Sequence, residues 1–339
     1  MLARDSLALS VVMPVYNGED YLQASIESIV RQSFGNFEFV ILDDGSTDRT
    51  PQILSEWAGR DGRIRVISGR PRRGVVGSAN RVVREAQAPI CARMDADDVS
   101  HPDRLRRQWE VLQSHPDVCL VATLFELIDR RGRVVRSRDR STLLRRGLVP
   151  PFPHGSIMFR RGAFEAAGGY RQACTYWEDR DLFIRMAQQG RILVLPAPLY
   201  RLRCHAKSAR LSASSRDLRD AFRLMHRCLA AHRAGRDYTA LLDGSGGPGG
   251  EPDDVALQWL SLLGSLRLWA GLRPGILRHL LSRGGVRVSA ASLRVLALAA
   301  LGEVSPRLYR RLHQGVHRLR DRQAARVIDE QRPVEWRLQ

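Results

Sequence analysis

Residues 9–19 read LSVVMPVYNGE, and this stretch decides the fold class. The apolar, β-branched run from Leu9 to Val15 ends in turn residues, which predicts a buried strand. Apolar residues then recur at helical spacing from Glu19 to Gln32, and Asn17 or Gly18 is placed to cap that helix. A strand, a tight turn and a helix make the first half of a βαβ unit, and the helix N-termini of such units attract phosphate.

The same alternation of strand and helix continues beyond this unit. Further strands are predicted at Phe37 to Leu42, Ile64 to Ser68 and Pro89 to Ala92, and Ser46 or Thr47 is placed to cap the helix after the second strand. Strands that alternate with helices predict an α/β fold with a doubly wound, mostly parallel sheet and helices on both of its faces. Ligands bind such sheets at the carboxyl ends of the strands, where polar residues gather in this chain.

The fourth predicted strand runs into an acidic stretch, RMDADD at residues 93–98. Asp95, Asp97 and Asp98 are close enough to repel one another, which raises their pKa values unless a cation neutralises them. Carboxylate clusters of this kind suit Mg2+ or Mn2+. A solvated acidic turn is the alternative reading, but the position of the cluster beside the other polar strand ends favours a metal site.

Six segments, taken in order, resemble those of a known family. They are VVMPVYNGE, VILDDGSTD, MDADD, PDRL, HGSIMFR and EDRDL, and they begin at residues 11, 40, 94, 102, 154 and 178. With this ordered set the chain resembles the family 2 glycosyltransferases, which have the GT-A fold, over residues 8–210. The resemblance implies a nucleotide-binding half at about residues 8–98 and an acceptor half at about residues 99–210.

The resemblance also implies which residues bind a nucleotide-sugar donor. Residues that match the donor-contacting segments are Pro14, Tyr16, Glu19, Asp44, Asn80 and Asp95. Asp44 matches the carboxylate that contacts the nucleotide base, while Asp43 is expected to shape the turn. An arginine contact to the diphosphate stays open among Arg70, Arg72 and Arg73.

The cofactor implied by the resemblance is Mg2+ or Mn2+ beside the donor diphosphate. Asp95 and Asp97 match the family's Asp-x-Asp pair, with Asp97 as the expected direct ligand and Asp98 in support. His205 resembles a late family motif whose histidine approaches the metal or the diphosphate. A surface histidine in a basic loop is the alternative for His205.

On the acceptor side, Asp179 matches the family's general base, and Glu178 is expected to orient the site. An alcohol is a poor nucleophile, so a carboxylate must take its proton as the new bond forms. A base that acts on the opposite face of the sugar gives inversion. The alternative for Asp179 is a helix N-terminal acid stabilised by the helix dipole. His154 is expected to line the acceptor pocket, with a structural hydrogen-bonding role as its alternative.

The chain changes character near residue 210, and residues 211–339 are predicted to form a basic, all-helical region. One amphipathic helix is predicted at Asp217 to His232 and a flexible Gly-rich linker at 244–250. Further helices are predicted at 255–272, 289–301 and 306–328.

Charge and cysteine content bear on location. Residues 201–339 hold 25 Lys and Arg against 12 Asp and Glu, so 13 of the 18 net positive charges of this 339-residue chain lie there. Basic amphipathic helices favour anionic membrane surfaces, but a packed helical bundle with arginine-rich solvated faces is the preferred interpretation. The opening residues show no secretory pattern, and five scattered cysteines are typical of reduced thiols. A cytoplasmic location is therefore predicted, with peripheral contact at the inner face of the membrane as the alternative.

The predicted function is inverting transfer of a sugar from a nucleotide donor, with a UDP-sugar expected, to a hydroxyl of a saccharide or lipid-linked acceptor. A nucleotidyltransferase that makes nucleotide sugars would carry a Gly-rich phosphate loop with a nearby lysine, and residues 11–17 contain neither. A dehydrogenase would carry Gly-x-Gly-x-x-Gly directly after the first strand, and no such pattern follows that strand here. A non-enzymatic polyanion-binding protein is supported by basicity alone, and no nucleic-acid partner is expected.

Overall fold

The computed structural model describes residues 7–138, 152–205, 207–208, 215–243 and 333–336. Its strands are β1 Leu9–Val15, β2 Phe37–Asp43, β3 Ile64–Ser68, β4 Ile90–Arg93, β5 Val99–Ser100, β6 Val118–Ile128, β7 Val134–Arg138, β8 Met158–Arg160, β9 Arg191–Arg203 and β10 Val334–Trp336. Its α-helices are α1 Leu22–Val30, α2 Thr50–Arg60, α3 Gly74–Arg84, α4 Arg104–Ser114, α5 Arg161–Ala166, α6 Glu178–Met186, α7 Ser215–Arg233 and α8 Thr239–Leu242.

The strands form one mixed sheet in the order β10-β9-β6-β8-β4-β1-β2-β3, with β5 paired to β9 and β7 paired to β6. Strands β4, β1, β2 and β3 pair in parallel. Strand β8 runs antiparallel to both β4 and β6, and β5 and β10 run antiparallel to β9. The predicted α/β fold class is confirmed, and the parallel arrangement holds for the first four strands, whereas β5, β8 and β10 pair antiparallel with their neighbours.

Both faces of the sheet are covered, as the doubly wound pattern predicts. On β1, Val11 and Met13 belong to one apolar cluster, together with Ile26 of α1. Val12 points into a second cluster, together with Val82 of α3. A strand that is buried on both faces has no polar alternation, which is why the run from Leu9 to Val15 is almost wholly apolar.

The predicted helix caps are wrong, because the two loops concerned bond to each other instead. Helix α1 begins only at Leu22 and has no side-chain cap, and the Asn17 side chain accepts the N–H of Thr47 at 2.9 Å. Ser46 accepts the N–H of Asn17 through Oγ at 2.9 Å, so it is also unavailable to cap α2. The backbone of Thr50, which starts α2, donates instead to Asp48 Oδ1 at 2.9 Å.

The described residues fall into two compact units. The first holds residues 7–127, 134–203 and 333–336, and the second holds 128–133 with the described residues from 204 to 243. Helix α7 confirms the amphipathic helix predicted at Asp217 to His232. The linker predicted at 244–250 and the helices predicted at 255–272, 289–301 and 306–328 lie outside the described residues. Among the described helices, none is both long and apolar enough to cross a lipid bilayer.

Candidate active site

The loops after β1 and β2 are joined by hydrogen bonds at the carboxyl edge of the sheet. Gly18 N–H donates to Thr50 Oγ1 at 2.9 Å, and Glu19 accepts the N–H of Arg49 at 3.1 Å. Pro14 lies half-buried near the end of β1, and Tyr16 follows that strand with 39% of its surface exposed. The structure therefore brings three predicted donor-contacting residues to one edge, with a tyrosine ring open to solvent.

Asp44 organises the neighbouring loop between β3 and α3. It is buried, and its two carboxylate oxygens accept the N–H of Arg73 at 2.8 Å and of Gly74 at 2.9 Å. Asp43 Oδ1 accepts the N–H of Ser46 at 2.9 Å, as expected of a residue that shapes the turn. The contact of Asp44 with a nucleotide base stays a prediction, since its oxygens already hold this loop.

Arg72 covers the Tyr16 ring. Its guanidinium carbon lies 3.7 Å from the ring centroid, a cation–π contact, and its Nε lies 4.0 Å from Asp44 Oδ2. Of the three arginines left open by the sequence, Arg72 is the one with a side-chain contact to predicted donor-binding residues.

The acidic stretch after β4 is fixed beside these loops. Ser25 Oγ of α1 lies 2.8 Å from the carbonyl oxygen of Ala96 and 2.7 Å from that of Asp98. Arg203, the last residue of β9, donates through Nε to the Asp97 carbonyl oxygen at 2.7 Å and through its backbone N–H to Asp98 Oδ1 at 2.7 Å. The acidic turn is thus held from two sides, which leaves its carboxylates in fixed positions.

The surroundings of Asp95 raise the pKa of its carboxyl group. Burial raises its pKa, the buried Arg93 guanidinium 2.9 Å away works against that rise, and the charges of Asp97 and Asp179 add to it. The Asp95 side chain still has 27% of its surface exposed, so it stays open to a ligand. The charge of Asp179 therefore acts on Asp95, and the place of both residues in one catalytic site stays a prediction.

Tyr200 and Asp98 form the floor beneath this cluster. Both side chains are buried, and the Tyr200 hydroxyl accepts the backbone N–H of Asp95 at 3.3 Å. Burial, followed by repulsion from Asp97 and Asp95, raises the pKa of Asp98 well above its usual range. Asp98 therefore lies buried beneath the acidic turn, and Asp95 and Asp97 form the partly exposed part of the cluster.

Gly155 and Arg104, which belong to the segments HGSIMFR and PDRL, both pack beside the acidic turn. A β-carbon at Gly155 would lie 1.9 Å from the Tyr200 hydroxyl and 2.7 Å from Asp95 Oδ2, so only glycine fits there. Arg104 is fully buried and donates to the carbonyl oxygens of Arg93 at 3.0 Å and Gly155 at 2.9 Å. Burial lowers the pKa of Arg104 to about 10. This arginine joins the segment after β4 to the 154–156 turn.

Asp179 and Glu178 begin helix α6 and face the acidic turn. Both are half-buried, and Asp179 Oδ1 accepts the N–H of Arg180 at 2.9 Å. Both charges act on buried Tyr170, whose pKa is raised chiefly by burial. Asp179 therefore lies in the first turn of a helix, as its alternative interpretation predicts, and its role as a general base stays a prediction.

His154 and Asn80 meet at Tyr170. His154 Nε2 lies 2.6 Å from the Tyr170 hydroxyl oxygen, and the rings lie 5.2 Å apart. Asn80 accepts the backbone N–H of Tyr170 at 2.8 Å and donates to its carbonyl oxygen at 2.8 Å. The hydrogen-bonding role of His154 is present, and both ends of the Asn80 amide hold Tyr170. A direct donor contact by Asn80 and an acceptor contact by His154 stay predictions.

His205 is buried, two residues beyond the end of β9. It belongs to the second unit, unlike the other predicted site residues. Burial rules out the reading of His205 as a surface histidine, and its role as a metal ligand stays a prediction.

The donor set fits a divalent cation that is completed by a phosphate-bearing ligand. Within the described ranges, no three or more His, Cys, Asp or Glu side chains are grouped so that they hold a metal ion by themselves. Mg2+ is usually bound by one or two carboxylates together with substrate phosphates. Asp95 and Asp97 supply two carboxylates whose mutual repulsion a cation would relieve.

Three residues near the candidate site carry no recognisable signal of their own in the sequence. Tyr170, Tyr200 and Arg203 reach the acidic turn or the acceptor side only through the fold. Arg93 and Arg104 lie inside quoted segments, so their positions, although not their roles, were visible in the sequence.

Comparisons with known proteins identify a family. A family model described as glycosyl transferase family 2 matches residues 10–168. EpsE of Bacillus subtilis, which bears the provisional name of a glycosyltransferase, is 35% identical over 203 residues, which is 58% of this chain and 72% of that protein. Further relatives at 33–36% identity are matched over less than half of their own length.

Solved structures show the same fold. TarS from S. aureus in complex with UDP-GlcNAc superposes with a TM-score of 0.53 at 18% identity, over 92% of each chain. The mannosyltransferase PcManGT from Pyrobaculum calidifontis, in complex with GDP-Man and Mn2+, gives a TM-score of 0.52 at 21% identity over 94% of this chain and 85% of its own. At these identities the similarity concerns the fold.

Proposed function

This chain belongs to the family 2 glycosyltransferases, and from that premise we propose that it moves a sugar from a nucleoside-diphosphate donor to a hydroxyl of a saccharide or lipid-linked acceptor with inversion. The observation that carries the proposal is the packing of Gly155, in the His154 turn on the acceptor side, against Asp95 Oδ2, and the charge of Asp179 also acts on Asp95. A donor carboxylate and a general base must lie near each other if the acceptor hydroxyl is to attack a sugar held on the diphosphate. Family membership favours this activity over nucleotidyl transfer and over polyanion binding without catalysis.

The donor nucleotide is assigned to the edge formed by the loops after β1 and β2. The exposed Tyr16 ring offers a flat apolar face to a base, and Pro14, Glu19 and Asp44 complete that edge. Arg72, which covers Tyr16 in this structure, is the arginine assigned to the diphosphate. The expected donor is a UDP-sugar, in line with the UDP-GlcNAc bound to TarS, although PcManGT binds GDP-Man.

Asp95 and Asp97 are assigned to a divalent cation, and His205 is retained as a candidate ligand. When bound, Mg2+ or Mn2+ would offset the charge that develops on the departing diphosphate. Mn2+ accompanies GDP-Man in PcManGT, which supports a divalent ion of this kind. The residues prepare that site without a ligand: Ser25 and Arg203 hold the turn, and Arg93 keeps Asp95 in place.

Asp179 is assigned as the general base. Its carboxylate, at the start of α6, takes the proton of the acceptor hydroxyl as the bond to the sugar forms, while Glu178 orients the site. Attack from the side of Asp179, opposite to the leaving diphosphate, inverts the anomeric carbon. His154, held by Tyr170, is placed on the acceptor side.

A cytoplasmic location is proposed because the five cysteines are scattered, as is typical of reduced thiols. The positive charge of residues 201–339 supports the alternative, which is peripheral contact at an anionic membrane surface. Flotation of the full chain with phosphatidylglycerol liposomes at physiological salt distinguishes the two. Association that is lost at high salt supports the membrane contact, and failure to float removes it.

The proposed function is tested by a thermal-shift screen of the full chain against UDP, GDP, dTDP and their common sugars, each with and without Mn2+. Ligand that binds only the folded state raises the melting temperature by linkage. We expect UDP and a UDP-sugar to raise it more with Mn2+ than without. Products of the best donor are then analysed by NMR for the anomeric configuration. Retention of configuration, or no nucleotide that stabilises the protein, would overturn the proposal.

A further inference from the structure

A strand from the last described part of the chain closes one edge of the sheet. Strand β10 pairs antiparallel with β9, so that Val334 lies opposite Val194 and Trp336 lies opposite Ile192. Glu335 forms an ion pair of 3.4 Å with Arg191, and both side chains are partly exposed. Sheet pairing therefore sets the position of the Trp336 side chain, while the ion pair lies at the surface.

Trp336 packs on two buried phenylalanines. Its ring centroid lies 5.9 Å from that of Phe152 and 6.4 Å from that of Phe183, and both pairs are close to perpendicular, at 78° and 79°. Phe152 and Phe183 contact each other at 5.2 Å. Perpendicular pairs at these distances are the favourable edge-to-face arrangement of aromatic rings.

Phe183 also contacts His154. The Phe183 and His154 rings lie 6.3 Å apart at 77°, and the other neighbour of His154 is Tyr170, to which it is hydrogen-bonded. The His154 ring is therefore held between a hydrogen-bonding partner and an apolar ring. That apolar ring also contacts Trp336, which lies 182 residues later in the chain than His154.

The turn that follows His154 is part of the same arrangement. Residues His154–Ser156 form a single 3-10 turn, and Gly155 in that turn packs against Asp95 and Tyr200 without room for a side chain. A change in the angle of the His154 ring thus occurs next to the donor carboxylate, at the place where acceptor and donor must meet.

We propose that Trp336 is a positioning residue for the acceptor side of the site: through Phe183 its ring holds His154 at the angle at which it meets the acceptor. The inference rests on the proposed function, because that function assigns His154 to the acceptor. Trp336 itself has no contact with His154 among the ring contacts of the described residues, so it acts through Phe183.

Three variants of the full chain separate this role from general stability. Trp336→Ala removes the ring contacts, Trp336→Phe keeps an aromatic ring in the same strand, and Glu335→Gln removes only the neighbouring surface ion pair. Trp336→Leu replaces the alanine variant should that protein fail to fold, because it keeps an apolar side chain in β10.

The first readout is the NMR signal of the His154 ring in histidine-labelled protein, assigned among the nine histidines with a His154→Gln sample. We expect Trp336→Ala to shift or broaden that signal, Trp336→Phe to restore its position, and Glu335→Gln to leave it unchanged. A His154 signal that is identical in wild type and Trp336→Ala would overturn the inference, and this readout does not depend on turnover.

The second readout is steady-state transfer from UDP-glucose to p-nitrophenyl β-glucoside. We expect Trp336→Ala to raise the acceptor KM by about three- to tenfold while the donor KM changes by less than about twofold, since an edge-to-face pair contributes at this scale. Equal rises in both KM values, or no restoration by Trp336→Phe, would overturn the positioning role. Absence of transfer by the wild type counts against the proposed function alone, because the NMR result then still decides the inference.

Discussion

Replacement of Tyr200 by phenylalanine removes one hydroxyl from beneath the acidic turn and nothing else. That hydroxyl accepts the N–H of Asp95, so its loss leaves this backbone donor short of a partner. A buried donor left without its partner costs about 1–3 kcal/mol. We therefore expect the free energy of unfolding to fall by about 1–3 kcal/mol, which lowers Tm by roughly 3–10 °C in a domain of this size.

The same substitution should also weaken Mn2+-dependent binding of UDP, because the backbone of Asp95 loses its anchor. Calorimetry on the full chain measures that affinity, and we expect a loss of about tenfold, equivalent to about 1.4 kcal/mol. Tyr170→Phe is the matched control: it removes a buried hydroxyl that is bonded to His154, and it should lower stability while keeping Mn2+-dependent UDP binding. Tyr200→Phe protein with unchanged Tm and unchanged affinity would refute the reasoning.

Three further predictions concern the same site. Asp97→Ala should abolish the effect of Mn2+ on UDP binding, and calorimetry that gives equal Mn2+ dependence in variant and wild type would count against Asp97 as a ligand. Because the pKa of Asp95 is raised and Mn2+ requires its ionised form, Mn2+ affinity should fall as the pH falls through that raised pKa, by about tenfold per pH unit for one displaced proton. The stability of the metal-free protein should instead fall as the pH rises over the same range, because the folded state binds the Asp95 proton more tightly than the unfolded chain does. Urea unfolding at several pH values measures this change in stability. Asn80→Ala removes both hydrogen bonds to Tyr170 and should lower the free energy of unfolding by about 1–3 kcal/mol, whereas an unchanged urea midpoint would show that this amide does not hold Tyr170.

The parallel half of the fold was predictable because its signals are local. Strands β1 and β3 begin and end at the residues that the sequence predicts, since each run is bounded by turn residues. β1 is almost wholly buried, whereas β3 lies at the edge of the sheet and is buried only at Ile64. The antiparallel half depends on pairings such as β8 between β4 and β6, which join residues far apart in sequence. No local periodicity encodes such a pairing.

The helix caps were mispredicted for a physical reason. Asn17 and Ser46 have the composition of cap residues, but each bonds to the neighbouring loop, and this choice is visible only once β1 and β2 are adjacent. Two loops at the edge of a parallel sheet compete with the helix ends for the same polar side chains.

In the candidate site, too, some residues were recognisable from the sequence and others only from the fold. The carboxylates at 95, 97 and 179 stand in recognisable segments, so their types and order were available from the sequence. Tyr200 and Arg93 act on them from a buried strand and from a strand end, where an arginine or a tyrosine has no local signature. Side chains that support a site from below are chosen by three-dimensional packing, and sequence reasoning identifies them only after the fold is known.

The central claim is that Asp95, Asp97 and Asp179 serve one reaction in one site, with the first two on the donor and the third on the acceptor. Asp179→Asn tests it most directly, because the amide keeps the shape of the side chain and cannot take a proton. The account predicts that kcat for sugar transfer falls by about 10²- to 10⁴-fold while Mn2+-dependent UDP affinity stays within about twofold of wild type. Full turnover by that variant would contradict the account.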